Sequence, residues 1–166
     1  MMDKKREIIA LYKGIFIGII LAATALAILI GDKTTNNTKK LVQVVENNHI
    51  KAPDNLWKGV IGEAVSEGYE GIYAVICVYK NRINKGMPLG CVALKRKDLD
   101  TFVDKQDKKW KYIAKELVEY VFNGKGSDIT NGATHYENIE KFGEPPWAPD
   151  MVITCKIKNH TFYKEK

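Results

Sequence analysis

Three glutamates interrupt an otherwise apolar stretch, LWKGVIGEAVSEGYEGIYAVICVYKNRI, at residues 56–83. Glu63 stands inside Val60-Ile61-Gly62-Glu63-Ala64-Val65, and Glu67 follows four residues later. A carboxylate held against apolar neighbours is costly to ionise. That is one way to make a general acid, a group that keeps a proton and gives it to a leaving oxygen. On a helical wheel of about 100° per residue, Leu56, Trp57, Val60, Ile61, Ala64 and Val65 form one broad apolar arc. Glu63 falls just beyond its edge, and Glu67 lies within it, between the directions of Leu56 and Val60. The i, i+4 spacing brings both carboxylates out on the same side of the helix. A solvated helix face is the alternative, and spacing alone names no reaction.

The elements that would hold these groups can be read from periodicity. A first helix is expected over residues 55–66, opened by Asp54 as N-cap and stopped near Gly68. A second spans residues 71–84, with Ile72, Val75, Ile76, Tyr79 and Ile83 at helical spacing. Residues 85–106 read as a loop. A third helix starts at Asp107, places Trp110, Ile113, Ala114, Leu117, Val118 and Val121 on one face, and ends at Asn123-Gly124. The next segment, GKGSDITNGATHYENIEKFGEPPWAPD, has no helical period and reads as a long binding surface. MVITCKIKNHTFYKE alternates and is β-branched, which predicts a terminal hairpin turning near Asn159. Helices followed by strands predict an α+β fold, a small helical domain with a C-terminal hairpin or small sheet.

The chain as a whole sets its surroundings. It has 166 residues, enough for one domain with appendages. Its net charge of +6 favours an anionic partner such as lipid headgroups or a cell-wall polymer. No basic run with interleaved aromatics occurs, so no nucleic-acid partner is expected. Three cysteines cannot all pair, and no CxxC is present for a zinc knuckle or redox pair. The run GIFIGIILAATALAILIG at residues 14–31 is uncharged and preceded by Lys4, Lys5, Arg6 and Lys13. It can cross a bilayer as a helix, with the basic flank at residues 1–13 in the cytoplasm. Ala25-Leu26-Ala27 offers a signal-peptide cleavage site, but Ile28-Leu29-Ile30 continues the apolar run past it, which favours a retained anchor. Residues 32–53 are a polar tether, and residues 54–166 form the domain, outside the cytoplasm.

IGEAVSEGYEGIYAVICVYKNRI, LKRKDLDTF, DITNGATHYEN and PPWAPDMVITCKIKNHTFYK occur in that order over about residues 57–164. Together they resemble the SleB/CwlJ family of bacterial cell-wall hydrolases, best known from spore cortex lysis. The resemblance implies a lysozyme-like fold and a lytic transglycosylase or muramidase acting on the glycan strands of peptidoglycan. It implies that Glu63, in Gly62-Glu63-Ala64, is the single acid and base, and that Glu67 is the second motif glutamate, in a supporting role. Asn81, Thr134, His135, Tyr136, His160, Phe162 and Tyr163 match the family's remaining polar and aromatic positions and are expected to meet substrate. No cofactor or metal is implied.

Other readings stay open. Asn81 can cap the second helix. Tyr136, Trp147, Phe162 and Tyr163 can stack on sugars, although strand alternation makes at least one of Phe162 and Tyr163 structural. His135, His160 and Cys155 or Asp150 could build a zinc amidase centre. An inactive wall-binding scaffold is the other alternative.

Overall fold

The computed structural model describes residues 50–166. The anchor expected at residues 14–31 lies outside the described residues, as does the tether up to residue 49. Among the described residues, no helix is long and apolar enough to cross a membrane.

Helix α1, Leu56–Ala64, buries Leu56, Gly59, Val60, Ile61 and Ala64, the arc drawn by the wheel. Its N-cap is Asn55, one residue later than expected, and the Asn55 side chain makes no capping bond. Asp54 is exposed and instead pairs with Lys51 at 3.1 Å. A 3-10 turn, Val65–Glu67, tightens the end of α1 and turns the chain at Gly68. Gly68 has φ +69°, a left-handed value that glycine adopts without a Cβ penalty. Helix α2, Gly68–Asn84, follows at once and therefore starts before the expected residue 71.

The middle of α2, from Ile72 to Tyr79, is buried almost all round, as befits a helix covered on two sides. One side packs Ile72, Val75, Ile76 and Tyr79 against α1 and against Leu117, Val118, Val121 and Phe122 of a later helix. The other packs Ala74 and Val78 against Ala133 and Phe162. Each fully buried aliphatic side chain of this size contributes roughly 1.5–3 kcal/mol, so α2 is the axis of the domain.

The stretch read as a loop at residues 85–106 contains a 3-10 turn, Ala93–Lys95, and a helix, α3, Leu99–Asp104. Leu99 and Val103 anchor α3 against Ile61 and Ala114. Helix α4, Lys108–Phe122, is capped by the Asp107 carboxylate, which accepts the Lys109 N–H at 2.8 Å. It buries Ala114, Leu117, Val118, Val121 and Phe122.

Beyond α4 come strand β1, His135–Glu137, the short helix α5, Ile139–Phe142, and the hairpin β2, Met151–Ile157, with β3, His160–Glu165. The hairpin turns at Lys158 and Asn159, where it was expected. The third strand, β1, was not foreseen. All three are antiparallel in the order β1-β3-β2, with His135 opposite Tyr163 and Tyr136 opposite Phe162. β3 is thus the central strand, covered on both faces. The architecture is α+β.

Candidate active site

A cleft of about 750 Å³ opens between the C-terminal end of α1, the loop at residues 89–96 and the β1 side of the sheet. Glu63 stands on its floor, half-buried at the edge of the apolar arc of α1. Its partner comes from far along the chain: the Ala93 backbone N–H donates to Oε1 at 2.7 Å. Cys91 Sγ lies 3.9 Å from the same oxygen. Oε2 takes no backbone hydrogen bond among the described residues.

Gly62 is what lets this donor come so close. A Cβ there would lie 2.7 Å from Ala93 Cβ and 3.1 Å from Leu99 Cδ1. We predict that Gly62→Ala shifts the Ala93 turn outward and lengthens the bond to Glu63. Overpacking of this kind costs about 1–3 kcal/mol, and displacement of the acid by a fraction of an ångström lowers turnover about tenfold or more. Melting curves and turnover on one substrate would check both; an unchanged turnover would show that the contact is not needed.

Glu67 is differently placed. It is 8 % exposed, and both of its oxygens are engaged by Asn159. The Asn159 backbone N–H donates to Oε2 at 3.0 Å and Nδ2 donates to Oε1 at 3.1 Å. Burial pushes its carboxyl up, but the two Asn159 hydrogen bonds outweigh burial, and the carboxyl titrates below its ordinary value. Glu67 is therefore a charged tie between the end of α1 and the hairpin turn.

Two buried tyrosines stand behind Glu63. The hydroxyls of Tyr79 and Tyr136 are 2.8 Å apart. Burial is the main reason both titrate well above the phenol range, aided at Tyr136 by the Glu63 carboxylate. Both remain protonated, and either hydroxyl can donate to the other. His160 meets Tyr136 edge-on at 5.1 Å between ring centroids. Burial lowers its imidazole pKa, against the opposing pull of Glu67, Glu137 and Glu63. Its buried Nδ1 has no hydrogen-bond partner among the described residues.

His135 forms the wall on the other face of β1. Its ring is tilted against Trp147 at 5.2 Å, and its Nδ1 is 3.0 Å from Thr134 Oγ1. Burial, then the Arg82 guanidinium, lower its pKa. Arg82 holds this wall in place by donating from Nε to the Pro88 carbonyl at 2.8 Å and from Nη1 to the Thr134 carbonyl at 2.9 Å.

Glu63, Glu67, Thr134, His135, Tyr136 and His160 line one cleft. Asn81, Phe162 and Tyr163 do not. Asn81 Nδ2 is taken up by Asp128 Oδ2 at 2.9 Å and the Ala133 carbonyl at 3.0 Å. It holds the turn at residues 128–133 onto α2 and does not cap that helix. Asn81→Ala should cost about 1–2 kcal/mol, read as a lower denaturation midpoint. If that midpoint does not move, the brace carries no stability.

Phe162 and Tyr163 are 0 % and 1 % exposed. Phe162 packs under α2, and Tyr163 meets Trp147 edge-on at 5.2 Å. Alternation along a strand buries one of two neighbours; a central strand with both faces covered buries both. Among the described residues, His135, His160, Cys155 and Asp150 are not gathered into a metal-holding cluster.

Tyr79, Arg82 and Asn159 join the site without having been singled out as site residues. Tyr79 reads as core because it lies on the apolar face of α2. Asn159 reads only as a turn residue. Arg82 had a signal, since the Asn81-Arg82 pair after the second helix matches the Asn-Arg pair of the family that the chain resembles.

Carboxylates on the floor and aromatic rings in the wall suit an enzyme acting on a polar polymer. The chain belongs to the Cell Wall Hydrolase family, whose model matches residues 66–163. Glu63 lies just before the matched span, and every other cleft residue predicted from sequence lies inside it. No curated protein and no solved structure matches the chain.

Proposed function

We propose that this cell wall hydrolase cleaves the glycan strands of peptidoglycan, with Glu63 as general acid and base. The observation that carries the reading is the contrast between the two motif carboxylates. Glu67 has both oxygens bound by Asn159 and is held ionised, so it has no proton to give. Glu63 has one oxygen fixed by the Ala93 N–H, which leaves Oε2 to carry a transferable proton.

In the first step that proton goes to the glycosidic oxygen as the bond from muramyl C1 breaks. The carboxylate so formed then takes a proton back. If it comes from the C6 hydroxyl of the same muramyl residue, an anhydro ring closes and the enzyme is a lytic transglycosylase. If it comes from a water that adds to C1, the enzyme is a muramidase, with Glu137 the remaining cleft carboxylate that could face the cationic centre.

Digestion of purified peptidoglycan, with products weighed by mass spectrometry, tests the reading. Muropeptides one water lighter than the hydrolysed product identify the transglycosylase, and hydrated ones the muramidase. Bound but uncut strands would favour a scaffold, while release of free peptides would favour an amidase. The same reading puts the catalytic unit outside the cytoplasm, held by residues 14–31, on the strength of the basic flank and apolar run alone.

A further inference from the structure

The cleft is lined by charges of both signs. Glu63, Glu67 and Glu137 carry the negative charge, and Arg82, Arg96 and Lys141 the positive. Two of these cations are already occupied. Arg82 is spent on the Pro88 and Thr134 carbonyls, and Arg96 pairs with Asp98 at 2.8 Å. Lys141 has no carboxylate partner among the described residues. Its sequence neighbour Glu140 is taken by Lys156 at 2.6 Å. Lys141 Nζ instead stands 4.9 Å from the centroid of Phe142, whose ring is 68 % exposed at the cleft rim.

We propose that Lys141 and Phe142 of α5 bind the peptide stem of the muramyl residue, Lys141 pairing with a stem carboxylate and Phe142 covering its aliphatic part. The inference rests on the glycan-strand reading above. N-acetylated sugar rings are uncharged, so the fixed anions of such a strand lie on the peptide stems or, where a stem is missing, on the lactyl carboxylate it was joined to. An unpaired cation at the rim matches a substituent that leaves the strand and extends outward. The exposed Phe142 ring beside it offers apolar surface that a bare lactyl group is too small to cover. Electrostatic complementarity of this kind sets which substrate is chosen more than how tightly any substrate binds.

The test measures binding to the full chain carrying Glu63→Gln, so that the strands stay intact. Three soluble glycan fragments of equal length serve as probes. One bears peptide stems with free carboxylates, one bears the same stems amidated, and one is denuded and keeps only lactyl carboxylates. The free-carboxylate fragment should bind about fivefold more tightly than either of the others, a preference that shrinks with added salt. Adding Lys141→Glu should bring that ratio to about one, and Lys141→Arg should keep it.

Equal binding of the denuded and stem-bearing fragments would assign Lys141 to the lactyl carboxylate and overturn the proposal. So would an unchanged ratio in Lys141→Glu, or no binding of any fragment. Failure of the glycan-cleavage reading looks different. The chain with Glu63 intact would leave all three fragments uncut while the affinity ratio still followed Lys141.

Discussion

On the proposed function, replacing Glu63 with Gln should lower glycan cleavage about 10³-fold, within the range a general acid contributes, and leave the melting temperature within about one degree of the parent. Gln keeps an amide oxygen that can accept the Ala93 N–H, so the end of α1 stays in register with the turn at Ala93–Lys95. What it lacks is a proton to transfer. The loss should fall on kcat, with KM little changed, because the missing interaction exists only as the bond breaks. Glu63→Asp keeps the acid but withdraws it by one methylene, so it should retain more activity than Gln while losing much of the parent rate. A Glu63→Gln chain that keeps a tenth of the parent rate would remove Glu63 from the chemistry and turn attention to Glu137.

Much of this arrangement was legible before any fold was known, and the reason is periodicity. The wheel placed Glu67 inside the apolar arc and Glu63 at its edge. In the fold Glu63 is half-buried at the edge of α1, as the wheel drew it, whereas Glu67 lies past the helix end in the turn Val65–Glu67 and is buried with Asn159 of the hairpin bound to it. The long amphipathic helix α4 and the terminal hairpin were readable for the same cause.

What periodicity could not carry were short elements stabilised from outside. α3 has six residues and only two buried ones, Leu99 and Val103, too few to repeat a pattern. β1 has three residues and becomes a strand by pairing with β3. The partners of the two glutamates were invisible for a related reason. Ala93 and Asn159 reach them through backbone N–H groups, which every residue except proline possesses and which composition therefore does not mark. Glu63 had been expected to owe its chemistry to apolar neighbours. Its defined contact is a polar one, made possible by the missing side chain at Gly62.

Removing the carboxylate of Glu67 should cost stability as well as activity. Glu67→Ala deletes two charge-assisted hydrogen bonds and leaves the Asn159 N–H beside the gap, a loss of about 2–4 kcal/mol. Glu67→Gln should cost about half as much, because the Asn159 side-chain amide can turn to offer its oxygen to the new NH2 group. Activity should fall with both, since Asn159 and the adjacent His160 enter the cleft from the hairpin that Glu67 ties down.

The pH dependence separates this role from that of a simple spacer. Glu67 titrates below its ordinary value of 4.5 in the folded chain. The unfolded chain therefore binds its proton first as pH falls. Its contribution is complete above about pH 5 and is lost as the pH drops through 4.5 to the folded value. His160 adds a second loss at higher pH. Burial holds its pKa below 6.5, so the unfolded chain also gains that proton first and stability declines as pH falls below about 6.5. Melting temperatures measured from pH 8 to pH 3 should show both declines in the parent, and in Glu67→Ala a shallower one at acid pH, where Asp128, also held below its ordinary value, still titrates. The Glu67→Ala curve should start lower, and its gap to the parent curve should narrow toward the acid end. Parallel curves with a constant gap would mean that Glu67 contributes packing alone and that its charge stabilises nothing.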